Sequence, residues 1–148
     1  MKDFIQLFRT INKYDLDNNL TFEIHAPGAI TYKMTIQEKH LSSPNTAHGA
    51  AIAGFMDCIL GLSALSDAVT KNTLTSTVEF KINYLRPVKL GEGIVGTGKV
   101  VHRGKSLIIS SGEIRLETSG ELVALGQGTF NTYPFSKKDF LNDFTTGG

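Results

Sequence analysis

The chain has 148 residues, of which 41% are hydrophobic and 20% charged, with a formal net charge of +1. This length suits one domain with a substantial core, so we treat residues 1–148 as a single domain. The balanced charge excludes a global electrostatic attraction to nucleic acid or to an anionic membrane surface. A charged N-terminus and a single cysteine argue against secretion and internal disulfides, and they predict a cytoplasmic protein.

The first third of the chain predicts one short helix and two strands. Apolar residues at helical spacing predict an amphipathic helix over residues 2–13. The segments Leu20–Ala26 and Ile30–Gln37 are typical of strands, joined by a turn at Pro27-Gly28. Residues 40–47 are expected to be a loop.

A long apolar helix is predicted from His48 to about Val69, and Asp57 is the one charged residue in its segment Gly49–Leu65. A carboxylate in apolar surroundings is costly unless a partner or a function compensates. One face of the helix carries Asp57, Leu60 and small residues, which are Ala50, Ala53, Gly54, Gly61 and Ala64. The opposite face carries Ile52, Phe55, Ile59 and Leu62. A purely structural Asp57 stays open, but buried carboxylates concentrate at functional sites.

Four strands are predicted after the helix, at Thr75–Leu85, Gly93–His102, Lys105–Glu117 and Leu122–Asn131. Alternation in the first of these places Val78, Phe80, Ile82 and Tyr84 on one face. The tail, residues 132–148, contains a capping signal at Ser136 and a predicted short helix over Phe140, Leu141 and Phe144. Six antiparallel strands and one buried helix predict an α+β fold, with a strongly curved sheet wrapped around the helix.

Several familiar motifs fail in this chain. The run Gly91-Glu-Gly93-Ile-Val-Gly96 matches a dinucleotide fingerprint literally, but it opens a strand rather than a helix. Cys58 is expected to be a small packing residue, because neighbouring Asp57 disfavours a thiolate. No Cys or His spacing suits a metal, so we expect neither a metal site nor a cofactor.

A set of segments in register resembles the hotdog-fold thioesterases of the phenylacetate-pathway (PaaI-like) type. The likeness begins at His48-Gly49-Ala50 with Asp57 eight residues after the glycine, and it covers about residues 40–130. It continues through Phe80-Lys-Ile-Asn-Tyr-Leu-Arg-Pro87, Leu90-Gly91-Glu92, His102-Arg-Gly-Lys105 and Gly120-Glu-Leu-Val-Ala124. The resemblance implies a hotdog fold and hydrolysis of an acyl-coenzyme A thioester.

The chain departs from the family pattern at two positions. The second glycine of the helix start is Ala50, and the asparagine expected six residues before the histidine is Ser42. A serine can still orient water or bond to the thioester, with a shorter reach. The resemblance also implies that Thr77 helps to hold water. We therefore expect Asp57, Gly49, Ser42 and Thr77 to be the catalytic residues, with His48 and Ala50 contacting substrate.

These residues suit thioester hydrolysis. The backbone N–H of Gly49, at the positive end of the helix, can stabilise an oxyanion. Asp57 can act as the base or as the nucleophile. Coenzyme A carries phosphates, for which Arg86, Arg103 and Lys105 are the candidate partners.

Geometry predicts that each site is shared between two chains. Eight helical residues rise about 12 Å, which is too far for Asp57 to serve a carbonyl held by its own Gly49. A homodimer with antiparallel helices would bring the two groups together, and the resemblance further implies a dimer of dimers.

Two other functions stay open at the level of sequence. A catalytically silent acyl-coenzyme A binder or sensor would use the same pocket, and Ser42 slightly favours it. A hotdog dehydratase acting on acyl-carrier-protein substrates is the third reading, but its catalytic histidine has no convincing counterpart. The acyl group itself cannot be read from the sequence.

Overall fold

The computed structural model of the protein describes residues 2–137. The helices are α1 (Lys2–Ile11), α2 (Lys13–Asp17) and α3 (Gly49–Ala68). The strands are β1 (Thr21–Ala26), β2 (Ala29–Thr35), β3 (Leu41–Ser43), β4 (Thr46–Ala47), β5 (Thr73–Tyr84), β6 (Gly93–Arg103), β7 (Leu107–Leu116) and β8 (Leu122–Pro134). The helix predicted over Phe140, Leu141 and Phe144 lies outside the described residues.

Six strands form one antiparallel sheet in the order β1-β2-β6-β7-β8-β5, and α3 packs against it. The helix contacts β2, β5, β6, β7 and β8. The predicted α+β arrangement is confirmed, and β1 and β5 are the two edges of this sheet. Although α3 is long and apolar enough to cross a membrane, much of it is buried against the sheet.

The N-terminal part differs from the prediction. The helix expected over residues 2–13 breaks at Asn12, whose side chain accepts a hydrogen bond from the Asp15 N–H at 3.2 Å and caps α2. Five residues are too few to show helical periodicity, so the sequence did not reveal α2. The expected loop at residues 40–47 contains a small hairpin of β3 and β4, with Asn45 at φ 64°.

The close approach of α3 to the sheet requires glycine in the middle of three strands. Gly98, Gly112 and Gly126 are paired across β6, β7 and β8. A Cβ at Gly98 would lie 2.9 Å from the Ile59 backbone oxygen, and one at Gly126 would lie 2.6 Å from Met56 Sδ. Gly96, in the discarded dinucleotide motif, likewise faces Ile59, so its role is packing.

Two predicted faces need correction. Leu60 and Ala64, which the helical wheel places with Asp57, are fully buried, and Leu60 lies against Gly112 and Gly128 of the sheet. Val78, which alternation places on the core side of β5, is 58% exposed. The reason for the second error is a β-bulge, because the pairing of β5 with β8 shifts between Thr77 and Glu79.

A buried carboxyl group attaches α2 to the rest of the protein. Asp15 is 5% exposed, and the Tyr32 hydroxyl donates a hydrogen bond to its Oδ2 at 2.5 Å. The thiol of Cys58 lies 3.8 Å from the other carboxyl oxygen. Burial raises the pKa of Asp15, and the hydrogen bonds from Tyr32 and Cys58 partly oppose the rise. The contact therefore links α2, β2 and α3.

We expect Tyr32→Phe to lower the free energy of unfolding by about 1–3 kcal/mol, because a buried carboxyl group loses its donor. The pKa of Asp15 is raised in the folded state, so the folded protein is more stable while Asp15 is protonated. This extra stability is lost as the pH rises through the folded-state pKa. Loss of the donor raises this pKa further, so the destabilisation should grow with pH. Urea unfolding at several pH values measures the loss in the free energy of unfolding, with Tyr133→Phe as the control. Equal stability of Tyr32→Phe and wild type would show that this bond does not hold α2.

Candidate active site

The start of α3 presents a free backbone donor. His48 is the N-cap residue, and its Nδ1 accepts the Ala50 N–H at 2.8 Å. Among residues 2–137, the Gly49 N–H has no hydrogen-bond acceptor. Because Nδ1 is an acceptor, the proton of the neutral ring is on Nε2, which leaves a second donor at the helix start. Ala50 was expected to contact substrate, but its backbone N–H already donates to His48 Nδ1.

The free Gly49 N–H lies at a cavity of about 340 Å³. The Tyr84 hydroxyl donates to the Gly49 carbonyl at 2.9 Å and so ties the end of β5 to the first turn of α3. Arg86 also lines this cavity and forms an ion pair with Glu121. One of the three cations expected to meet coenzyme A is therefore beside the helix start.

Asp57 lies two turns further along α3 and is partly buried. The Thr77 hydroxyl donates to Asp57 Oδ1 at 3.1 Å. Burial raises the pKa of Asp57, and the hydrogen bond from Thr77 opposes the rise. The result is a carboxylate in a weakly solvated position, which favours action as a base. Thr77, identified from the resemblance alone, is in contact with Asp57.

The bulge in β5 is what turns Thr77 toward the helix. Thr77 pairs with Phe130, whose ring is buried under α3, so both residues face the helix. On the opposite face Glu79 pairs with Thr129, which donates to it at 2.5 Å. In a regular strand without the bulge, Thr77 and Phe80 are three residues apart and would lie on opposite faces of β5. Bulges of this kind occur next to active sites and redirect one side chain.

Within one chain the two candidate groups belong to different cavities. Gly49 lines the cavity at the helix start, whereas Asp57 and Thr77 line a second cavity of about 220 Å³. Their separation along the helix is about 12 Å. One chain therefore presents an oxyanion donor and a carboxylate that face separate spaces.

Ser42 lies in the hairpin that leads into α3. It is exposed, at the irregular position of β3 between Leu41 and Ser43, and Leu41 pairs with Ala47. No side-chain hydrogen bond of Ser42 is formed with the described part of the chain. Its expected contact with substrate or water stays a prediction.

A buried histidine holds this hairpin in place. His40 Nδ1 accepts the Gln37 N–H at 2.9 Å, and Nε2 lies 2.8 Å from Asn18 Oδ1. The His40 carbonyl accepts the His48 N–H at 2.7 Å. Burial and the Lys39 charge lower the pKa of His40, so it is neutral and donates through Nε2. This link between α2 and the start of α3 was not predicted.

The other two candidate cations lie elsewhere in the chain. Arg103 Nε donates to Asp67 at 2.6 Å near the C-terminal end of α3, which is about 27 Å from Gly49 along the helix. Lys105 is exposed in the following turn. Within one chain the structure therefore brings Arg86, but not Arg103 or Lys105, to the helix start.

The surroundings of Cys58 agree with a packing residue. Burial raises its pKa, and the charges of Asp15 and Asp57 raise it further, so the thiol is a poor nucleophile. Tyr14 of α2 lies over Gly54, where a Cβ would overlap its hydroxyl. Residues 2–137 contain no group of three His, Cys, Asp or Glu side chains placed to hold a metal ion.

Comparisons with known proteins agree with this fold. Residues 44–123 match the family model described as the Thioesterase superfamily. Human acyl-coenzyme A thioesterase 13 is 32% identical over 110 residues, which cover 74% of this chain and 77% of the human protein.

Solved structures show the same hotdog fold. The PaaI protein of the phenylacetic acid degradation operon of Escherichia coli superimposes with a TM-score of 0.80 at 19% identity, covering 87% of this chain and 90% of that one. A hypothetical thioesterase protein from Streptococcus pneumoniae, solved with coenzyme A, gives a TM-score of 0.71 at 23% identity, covering 78% and 90%. The family match and the human relative together show that the chain belongs to the thioesterase superfamily.

Proposed function

We propose that the protein is an acyl-coenzyme A thioesterase that hydrolyses an acyl or aryl thioester to the free acid and coenzyme A. The observation that carries the proposal is the weakly solvated Asp57 carboxylate, which receives a hydrogen bond from Thr77. The human relative is named an acyl-coenzyme A thioesterase, and the Streptococcus pneumoniae neighbour was solved with coenzyme A. Both support this substrate class.

In the proposed reaction the thioester carbonyl oxygen accepts the free Gly49 N–H. Asp57 removes a proton from water as the water oxygen bonds to the carbonyl carbon, and the oxyanion forms against Gly49. The C–S bond then breaks, the carbonyl re-forms, and the thiolate of coenzyme A leaves and takes a proton. Direct attack by Asp57, through an anhydride that water cleaves, uses the same groups. In this proposal His48 and Ser42 contact substrate or water.

The site is completed by a second copy of the chain, and the exposed edge of β5 supports this. Among the described strands β5 pairs only with β8, and its 12 residues include the exposed apolar side chains Val78 and Tyr84. Such a long unpaired edge is a natural surface for another strand.

Antiparallel pairing of β5 with its own copy joins the two half-sites. A two-fold axis at Lys81 would pair Phe80 with Ile82 of the partner chain and, because Val78 is the extra residue of the bulge, would set Thr77 of one chain opposite Tyr84 of the other. Thr77 contacts Asp57, and Tyr84 contacts Gly49. The pairing thus brings the carboxylate of one chain toward the oxyanion donor of its partner. Tyr14 over Gly54 argues against direct helix-to-helix contact at that position.

The proposal extends to the assembly of the protein and to its location in the cell. A dimer of such dimers would give a tetramer, which light scattering after size exclusion would detect. Arg86 is the cation placed for a phosphate of coenzyme A, with Arg103 and Lys105 available from other parts of the assembly. We propose a cytoplasmic location, which the presence of a single cysteine supports.

Asp57→Asn should lower kcat by about 10²-fold or more, because the amide can neither remove a proton nor attack the carbonyl. Steady-state hydrolysis of acyl-coenzyme A, followed by release of the free thiol, measures this. Asp17→Asn, an exposed position in α2, is the matched control and should retain activity. Turnover near wild type in Asp57→Asn would remove Asp57 from the chemistry and favour a non-catalytic binding protein.

Thr77→Val should move the acidic limb of the kcat/KM profile to higher pH. If Asp57 acts as a base it must be ionised, so activity rises with pH through its pKa. The Thr77 hydroxyl stabilises the carboxylate, and its loss raises that pKa. Thr129→Val, which removes a hydroxyl from the other face of the sheet, should leave the limb in place. A limb that stays fixed or moves to lower pH in Thr77→Val would contradict this assignment.

A further inference from the structure

The second cavity follows one face of α3 away from the catalytic carboxylate. The helix residues that line it are Asp57, Cys58, Gly61, Leu62 and Leu65. Because Asp57 and Leu65 are eight residues apart, the cavity extends about 12 Å along the helix axis. Asp57 and Thr77 lie at one end, and Leu62 and Leu65 contribute apolar wall further along, where Thr75 and Ser76 of β5 also line the cavity. This polarity suits a thioester at one end and a hydrocarbon group at the other.

The wall opposite α3 is contributed in part by the N-terminal segment. Phe8 of α1 and Asn12, before α2, both line the cavity. These residues precede the family match at residues 44–123. This part of the wall therefore lies outside the residues that match the family model.

Phe8 is held rigidly in that wall. Its ring stacks on Phe4 at a centroid distance of 6.4 Å and contacts Phe22 at 6.0 Å. Phe22 in turn contacts Tyr32 at 5.3 Å, and Tyr32 donates to the buried Asp15. This row of rings joins α1 to β1 and β2, so the position of Phe8 is set by the core.

We infer that Phe8 and Gly61 set the size of the acyl group that this enzyme accepts, an inference that rests on the proposed thioesterase function. The cavity volume is about 220 Å³. An enclosed apolar cavity of about 150 Å³ binds benzene, so in proportion the 220 Å³ of this open cavity corresponds to about nine carbon atoms. The substrates are medium-length acyl groups, or acyl groups with one aromatic ring, and long-chain fatty acyl groups exceed the space.

Gly61 allows the volume to be changed without damage to the helix. A Cβ at Gly61 would lie 3.6 Å from a Phe130 ring carbon, which is ordinary van der Waals contact. Gly61→Ala therefore reduces the cavity by one methyl group, and alanine is the better helix former. Phe8→Leu has the opposite effect on the cavity, since it removes part of the ring. The matched control is Phe135→Leu, the same substitution at an exposed ring that does not line the cavity.

The experiment measures kcat/KM for acetyl-, butyryl-, hexanoyl-, octanoyl-, phenylacetyl- and palmitoyl-coenzyme A with the full chain. In wild type we expect a rise of roughly fourfold per methylene up to octanoyl, and a fall for palmitoyl. The octanoyl-to-acetyl ratio should fall about tenfold in Gly61→Ala, and the palmitoyl-to-octanoyl ratio should rise in Phe8→Leu. Phe135→Leu should keep the wild-type preference.

A wild-type preference for palmitoyl, or unchanged ratios in both Gly61→Ala and Phe8→Leu, would overturn the inference while leaving the thioesterase proposal intact. If no acyl-coenzyme A is hydrolysed, the proposed function fails instead. In that case calorimetry measures the affinities of coenzyme A thioethers that carry side chains of the same lengths. The ratios of these affinities, compared between wild type and the two variants, then test the inference.

Discussion

The close contact between α3 and the sheet is the constraint on which the site depends. Gly98, Gly112 and Gly126 bring the sheet backbone near Ile59 and Met56, so the helix is fixed in height and rotation. Interiors are packed like crystals, so a Cβ at Gly98 would press on the helix backbone at Ile59, and one at Gly112 or Gly126 would press on the side chains beneath the helix. That fixed position decides which helix residues face the sheet and leaves Asp57 at the margin of the core. The carboxylate that we propose as catalytic is therefore positioned by glycines in three different strands.

A second constraint acts on β5, because one extra residue changes the face on which its side chains lie. The bulge at Val78 allows both Thr77 and Phe80 to face α3, so a polar contact with Asp57 and an apolar contact with the core follow each other along one strand. The same strand ends at Tyr84, which binds the first turn of α3. β5 thus contacts both half-sites of one chain, and its free edge offers the means of joining them between chains.

The sequence was sufficient to predict the long helix and strands and the position of Asp57 on that helix, because helical and alternating periodicity are strong over ten or more residues. It failed where the signal is short or irregular. The five-residue α2 has no measurable period, and the bulge at Val78 inverts an alternation that looks regular. Leu60 was misplaced because an angular position on a wheel does not say how far a curved sheet wraps around the helix. Asp15 and His40 gave no local signal, since their partners, Tyr32 and Asn18, are distant in sequence.

The central claim is that each site combines Gly49 of one chain with Asp57 of its partner, and mixing two inactive variants tests it most directly. Gly49→Pro removes the N–H and puts the ring carbon Cδ in its place, and the helix tolerates it because proline is well accepted at the first helical position and His48 already has ψ 141°. Gly49→Ala keeps the donor and is the control. After subunit exchange between Gly49→Pro and Asp57→Asn, each heterodimer contains one intact site, so activity should approach half of wild type per heterodimer. No recovery, with exchange demonstrated, would contradict the shared site and assign both groups to one chain.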